Sequence, residues 1–179
     1  MPDAPTPTPG GEIARLVDEI IKSGKGLTEE PLTKIVKEIA KQFSVKMNEI
    51  AILQLSPDAG MLKFVYPWKL RQVGTLPMTT AHSLAVRTAR EKRPEMINNF
   101  PAHRHPTIFE AVSLEENEIE KQPIQKIMSA PLMVDSKPIG VIQVCRKGKS
   151  PAAAGADFSI RDLTALMTAA SQLAKCLKH

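Results

Sequence analysis

The residues best suited to chemistry stand in His103-Arg104-His105, a basic tripeptide with two imidazoles one residue apart. Two histidines at that spacing can ligate a metal, but a metal site normally asks for a third or fourth ligand. His82 is the other internal histidine, and it brings no further ligand beside it. A surface loop is the simpler reading, and no metal site is expected. Glu115, Glu116, Glu118 and Glu120 form a charge run that reads as a solvated loop rather than as paired catalytic carboxylates. Gly24-Lys25-Gly26 is not a phosphate loop, since no strand precedes it and the upstream glycine spacing is absent. Arg87, Arg90, Lys92 and Arg93 gather at one expected helix end, where cations suit the helix dipole. No nucleophile, base and orienting group stand at a recognisable spacing, so no enzymatic activity is expected.

Composition narrows the class further. A length of 179 residues favours one domain with extensions. Hydrophobic residues make up 42% and aromatic residues 4%, which predicts a largely aliphatic core. The formal net charge of +5 is mild, and its cations are interspersed with acids. That pattern serves solubility, and without a basic stripe interleaved with aromatics no nucleic-acid partner is expected. Cys145 and Cys176 read as apolar packing residues in a reducing compartment. No apolar run is long enough to span a bilayer and the N-terminus is no secretory signal, so a cytoplasmic location is expected.

The elements that must position any site follow from periodicity. Residues 1–11, rich in Pro and Thr, read as a disordered tail, and residues 12–179 as a single domain. Ile13, Leu16, Val17, Ile20 and Ile21 recur at helical spacing. Thr28 is placed to cap a second helix that ends near Phe43. Residues 49–55 and 61–66 read as a strand pair, 69–73 and 75–78 as weaker strands, and 95–98 as a short one. Thr79 or Thr80 is expected to open a helix running to Arg90. Two Ile- and Val-rich runs, 127–134 and 139–144, join through Asp135-Ser136-Lys137-Pro138 as a tight antiparallel hairpin. Ser159 then caps a last helix, with Asp162 three residues on and an apolar stripe from Leu163 to Leu177. Helices at both ends of a run of hairpins predict an α+β fold: an antiparallel sheet of about six strands flanked by N- and C-terminal helices.

Several stretches also resemble one family. Ser129-Ala130-Pro131-Leu132, then residues 137–144 (KPIGVIQV), then Phe158-Ser159 and Asp162, are similar to the C-terminal half of a GAF domain. Leu76-Pro77-Met78, the helix HSLAVRTA and the stretch KRPEMINN resemble the middle of the same family. The likeness runs from about Leu27 to Leu177. It implies a sensory or regulatory module that binds a small molecule in a pocket on one face of its sheet. Cyclic-nucleotide members carry an Asn-Lys pair, a Phe and an Asp-Glu pair in this region. Lys147, Phe158 and Asp162 match that pattern, whereas Arg146 and Leu163 depart from it, which counts against cyclic nucleotides. The resemblance implies an ion pair between Lys147 and Asp162 across the intervening loop. Bilin attachment and methionine-sulfoxide reduction both need pocket cysteines that Cys145 and Cys176 do not supply. No cofactor is identified.

In the fold so implied, the segment after the short strand closes the pocket, which makes Asn98, Asn99, Phe100, His103, Arg104 and Phe109 candidate ligand contacts. Arg104 suits a carboxylate or phosphate, and Phe100 or Phe109 an apolar ring. Trp68 and Arg71 are placed at the pocket edge. The stripes Ile13 to Ile21 and Leu163 to Leu177 are expected to join two chains as a homodimer that signals to another protein. Two alternatives stand beside this reading: an interaction module with no ligand, and a small enzyme using His103 and His105.

Overall fold

Ile13, Leu16, Val17 and Ile20, spaced by three and four residues, form one buried stripe of the first helix, α1 (Gly11–Ser23). Gly24 ends it in a left-handed conformation, φ 65°, with its N–H on the Ile21 carbonyl. The second helix, α2 (Glu29–Phe43), buries Leu32, Ile35, Val36, Ile39 and Phe43. Thr28 supplies the expected N-cap backbone, its carbonyl accepting from Leu32 N–H at 3.1 Å, while its hydroxyl makes no cap hydrogen bond. The structure is a computed structural model and describes residues 10–72, 74–102 and 122–177.

Strands β1 (Ile50–Leu55) and β2 (Met61–Tyr66) form a hairpin. In its turn the Asp58 carboxylate accepts the Ser56 hydroxyl at 2.6 Å and the Gly60 N–H at 3.0 Å, which holds its pKa below the ordinary carboxylate value. Of the strand expected at 69–73, the described residues 69–72 form none. Trp68–Leu70 is a 3₁₀ turn, which the Gly74 N–H closes on the Leu70 carbonyl at 2.8 Å. Strand β3 (Thr75–Pro77) follows. Helix α3 (Leu84–Glu91) starts later than Thr79 or Thr80 because Ser83 caps it, its hydroxyl accepting from Val86 N–H at 3.3 Å. Strand β4 is Glu95–Ile97.

Strands β5 (Ile124–Val134) and β6 (Lys137–Lys147) are joined by Asp135 and Ser136 alone, both left-handed at φ 50° and 63°. Such a two-residue turn matches the twist of the strands it joins. Helix α4 (Ile160–Leu177) opens with the expected reciprocal cap: the Ser159 N–H donates to the Asp162 carboxylate at 2.7 Å, and the Asp162 N–H to the Ser159 hydroxyl at 3.2 Å.

The six strands are all antiparallel in the order β3-β2-β1-β6-β5-β4, the expected α+β arrangement. The join of β1 to β6, with Ile50 opposite Val144, unites the two hairpins into one sheet. Side chains alternate across it. Ile52, Met128, Ala130, Ile142 and Val144 face the core under α1, α2 and α4; Leu53, Ile127, Val141 and Cys145 face the core under α3. The α1 and α4 stripes lie in the first of these cores. Ile13, Val17, Leu166 and Leu173 are therefore buried within a single chain, each burial contributing about 2 kcal/mol. No helix among the described residues is long and apolar enough to cross a membrane.

Candidate functional site

On the α3 side of the sheet the strand faces are mostly apolar; Glu95 of β4, opposite Ser129, is engaged by the Arg87 guanidinium of α3 at 2.7 and 3.0 Å, and two buried polar residues face each other beside it. Ser129 of β5 stands directly across from Gln143 of β6 in the ladder. Both are buried, as is Thr88 of α3 above them. Gln143 Nε2 donates to Ser129 Oγ at 3.2 Å, and Ser129 Oγ lies 2.7 Å from Thr88 Oγ1. The Thr88 hydroxyl proton goes to the Leu84 carbonyl at 2.8 Å. A hydroxyl has one proton, so Thr88 accepts from Ser129, and donation runs one way: Gln143, Ser129, Thr88, Leu84. The amide oxygen of Gln143 accepts no hydrogen bond among the described residues. Around this chain stand Leu53, Leu84, Ala85, Ile127 and Val141. A polar line inside an apolar wall is what a small-molecule site offers for orientation.

At one side of this face the residues that follow β4 take separate roles. Asn98 is half-buried, and its side-chain amide pairs with the backbone of Phe158: Nδ2 donates to the carbonyl at 3.0 Å and Oδ1 accepts the N–H at 2.8 Å. Asn99 is exposed, and its carbonyl accepts from Ala102 N–H at 3.2 Å. Phe100 is 2% exposed and belongs to the α3-side core. His103, Arg104, His105 and Phe109 lie outside the described residues.

Trp68 and Arg71 stand apart from Phe100. Trp68 packs against the core on the helix-layer side, and the Arg71 guanidinium stacks on its ring at 4.1 Å. Lys147 and Asp162, expected to form an ion pair, each make contacts of their own. Asp162 caps α4, while Lys147 donates its ammonium to the Asn48 carbonyl at 3.2 Å and its N–H to the Glu49 carboxylate at 2.6 Å. The loop after β6 is held by different residues. Lys126, 4% exposed, reaches the Gly155 carbonyl and the Asp157 carboxylate, both at 2.7 Å. Arg146, where the cyclic-nucleotide pattern has Asn, lies over the Phe158 ring at 4.3 Å and donates to the carbonyls of Ala156 and Phe43.

Sequence reasoning passed over Thr88, Ser129 and Gln143. The available signal was a polar residue at an inward position of an otherwise apolar strand, Ser129 in IMSAPL and Gln143 in VIQV. Which face counts as inward depends on the partner strands.

Comparison with known proteins places this architecture. No curated protein matches the chain in sequence. Among solved structures, the GAF domain of a phosphoenolpyruvate-protein phosphotransferase from Acinetobacter is 18% identical, with 92% of this chain and 89% of that one covered at a TM-score of 0.61. The corresponding domain from Coxiella burnetii is 10% identical, with 94% of each chain covered and a TM-score of 0.63. Free methionine-R-sulfoxide reductase from Neisseria meningitidis, solved with its substrate, is 15% identical, with 96% and 92% covered and a TM-score of 0.58. These likenesses speak to the fold. The GAF domain family model matches residues 28–178, which spans β1 to β6 and both helices that follow Thr28 and Ser159, so the chain belongs to the GAF domain family, whose members are typically sensory or regulatory parts of signalling proteins.

Proposed function

We propose that the chain is a cytoplasmic sensory module that takes a small molecule on the α3 face of its sheet and passes that occupancy to another protein without chemical turnover. The observation that carries this reading is the one-way chain Gln143–Ser129–Thr88, whose Gln143 amide oxygen is left to accept a ligand N–H or O–H. The apolar residues around it suit a ligand with a planar or aliphatic body and one donor group. The non-enzymatic part of the reading is supported by the cysteines. Cys145 is buried on the α3 side and Cys176 packs against the opposite core, so they form no redox pair.

A thermal-shift screen against cyclic nucleotides, amino acids, oxoacids and free methionine sulfoxide tests the reading. Binding to the native state raises the midpoint by mass action. The expected result is a rise for one of these classes that Gln143→Leu removes while the variant stays folded. A flat screen, or a rise indifferent to Gln143, counts against it. Turnover of methionine sulfoxide would overturn the non-enzymatic part.

A homodimer is part of the same proposal. Because Ile13, Leu16, Val17 and Ile20 are covered within the chain, the contact would fall on the outer sides of α1 and α4, where Ile21 is 49% exposed. Sedimentation at high micromolar concentration decides it, a monomer being the adverse result. A ligand-free interaction module is the second reading, favoured by Phe100, which is packed into the α3-side core.

A further inference from the structure

The turn of the β1–β2 hairpin and that of the β5–β6 hairpin lie at the same end of the sheet, because β1 runs antiparallel to β6 with Gln54 opposite Gly140. Between them, beside the last turn of α4, is a cleft of about 820 Å³. Its apolar wall includes Val65, Val134, Ile139 and Leu177 on the helix-layer side together with Leu55 and Phe64 of the α3-side core, and none of Thr88, Ser129 and Gln143 lines it. Its charged lining is lopsided: Lys63, Arg71 and Lys137 against Asp135. None of the three cations is in an ion pair among the described residues. Arg71 is held by its stack on Trp68, so its forked donors are already ordered.

We propose that this cleft binds an amphipathic carboxylate, with a straight acyl chain along Val65, Val134, Ile139 and Leu177 and its carboxylate among Lys63, Arg71 and Lys137. The size falls within that of small-molecule sites. The apolar wall contributes by burial, and the cations select the charged head through bidentate and charge-assisted hydrogen bonds. A neutral molecule with the same chain leaves the cations unused. A short carboxylate lacks the chain.

Trp68 is the only tryptophan of the chain and sits under Arg71, so its emission reports on anything that draws the guanidinium away. The experiment titrates the full chain with decanoate, following Trp68 emission and heat together, with decanol and acetate as controls. The expected result is saturable binding of decanoate alone. In the Lys63→Gln/Lys137→Gln variant, which keeps the Trp68 stack, affinity falls roughly tenfold, the combined loss of two solvent-screened lysine contacts. Arg71→Gln, read by heat, weakens binding to a similar degree. The affinity also falls with added salt. Three results overturn the proposal: no saturable signal, an equal response to decanol, or undiminished affinity in the double lysine variant. The last would place decanoate elsewhere on the protein.

Discussion

Asn98 and Phe158 are joined side chain to backbone by two hydrogen bonds, of 3.0 and 2.8 Å, so that the carboxamide of Asn98 copies a peptide group in a strand ladder. The pair ties the residue just after β4 to the start of the last helix, sixty positions later in the chain. Asn98 therefore fastens the boundary of the α3 face.

Replacing Asn98 with Ala removes both bonds and leaves the Phe158 N–H to find another acceptor. The loss is about 2 kcal/mol, which for a domain of this size lowers the melting midpoint by roughly 4–8 °C. Urea denaturation of Asn98→Ala checks it. An unchanged midpoint would mean that water replaces both bonds without cost.

The Lys126–Asp157 pair gives a second prediction. The Lys126 side chain is 5% exposed and that of Asp157 69%, so the ammonium is the desolvated partner. Asp157→Asn leaves that cation with the Gly155 carbonyl and a neutral amide, at a loss of about 2 kcal/mol. The change should be local first. Hydrogen exchange of the Gly155 N–H, bonded to the Ala152 carbonyl at 3.2 Å, should speed up ahead of amides in β5 and β6. Equal acceleration everywhere would argue against a local fastening.

Gly140 is required by close approach. A Cβ there would lie 2.2 Å from the Leu53 carbonyl oxygen and 3.0 Å from a Leu132 methyl. The first is backbone of the neighbouring strand and cannot rotate away, so Gly140→Ala must part β1 from β6. A loss of about 3 kcal/mol is expected from chemical denaturation, and a neutral result would show that the strands separate freely.

Cys176 supplies the pH dependence. Burial pushes its thiol up from 9.0 to about 11. The folded protein therefore holds this proton more tightly than the unfolded chain does. The contribution is complete below about pH 9 and is lost as pH rises toward about 11. The decline in stability across that window should be shallower in Cys176→Ala. At pH 8 alkylation by iodoacetamide should run about a hundredfold slower than at a free thiol; rapid modification would contradict the burial.

Short-range physics made much of the fold legible. The Ser159–Asp162 cap, the stripes of α1, α2 and α4, and the alternation of Val141, Gln143 and Cys145 with Ile142 and Val144 each depend on neighbours a few residues away. Misreadings arose where local preferences compete. Residues 69–73 have strand-like composition, yet Trp68–Leu70 is a 3₁₀ turn whose Leu70 carbonyl accepts from Gly74 N–H, and Ser83 outcompetes Thr79 and Thr80 as the cap of α3.

What the sequence by itself determined is the α+β class, the hairpins and the family, because periodicity, turn residues and motif order are properties of the linear chain. What only the tertiary structure decided is which side chains meet. Ser129 joins Thr88, Asn98 joins Phe158 and Lys126 joins Asp157 because β1 pairs with β6 and the last helix crosses the sheet. Trp68 falls on the helix-layer side and Phe100 on the α3 side for the same reason. Residues distant in sequence acquire a common neighbourhood only through strand register, and one step of register moves a side chain to the opposite face.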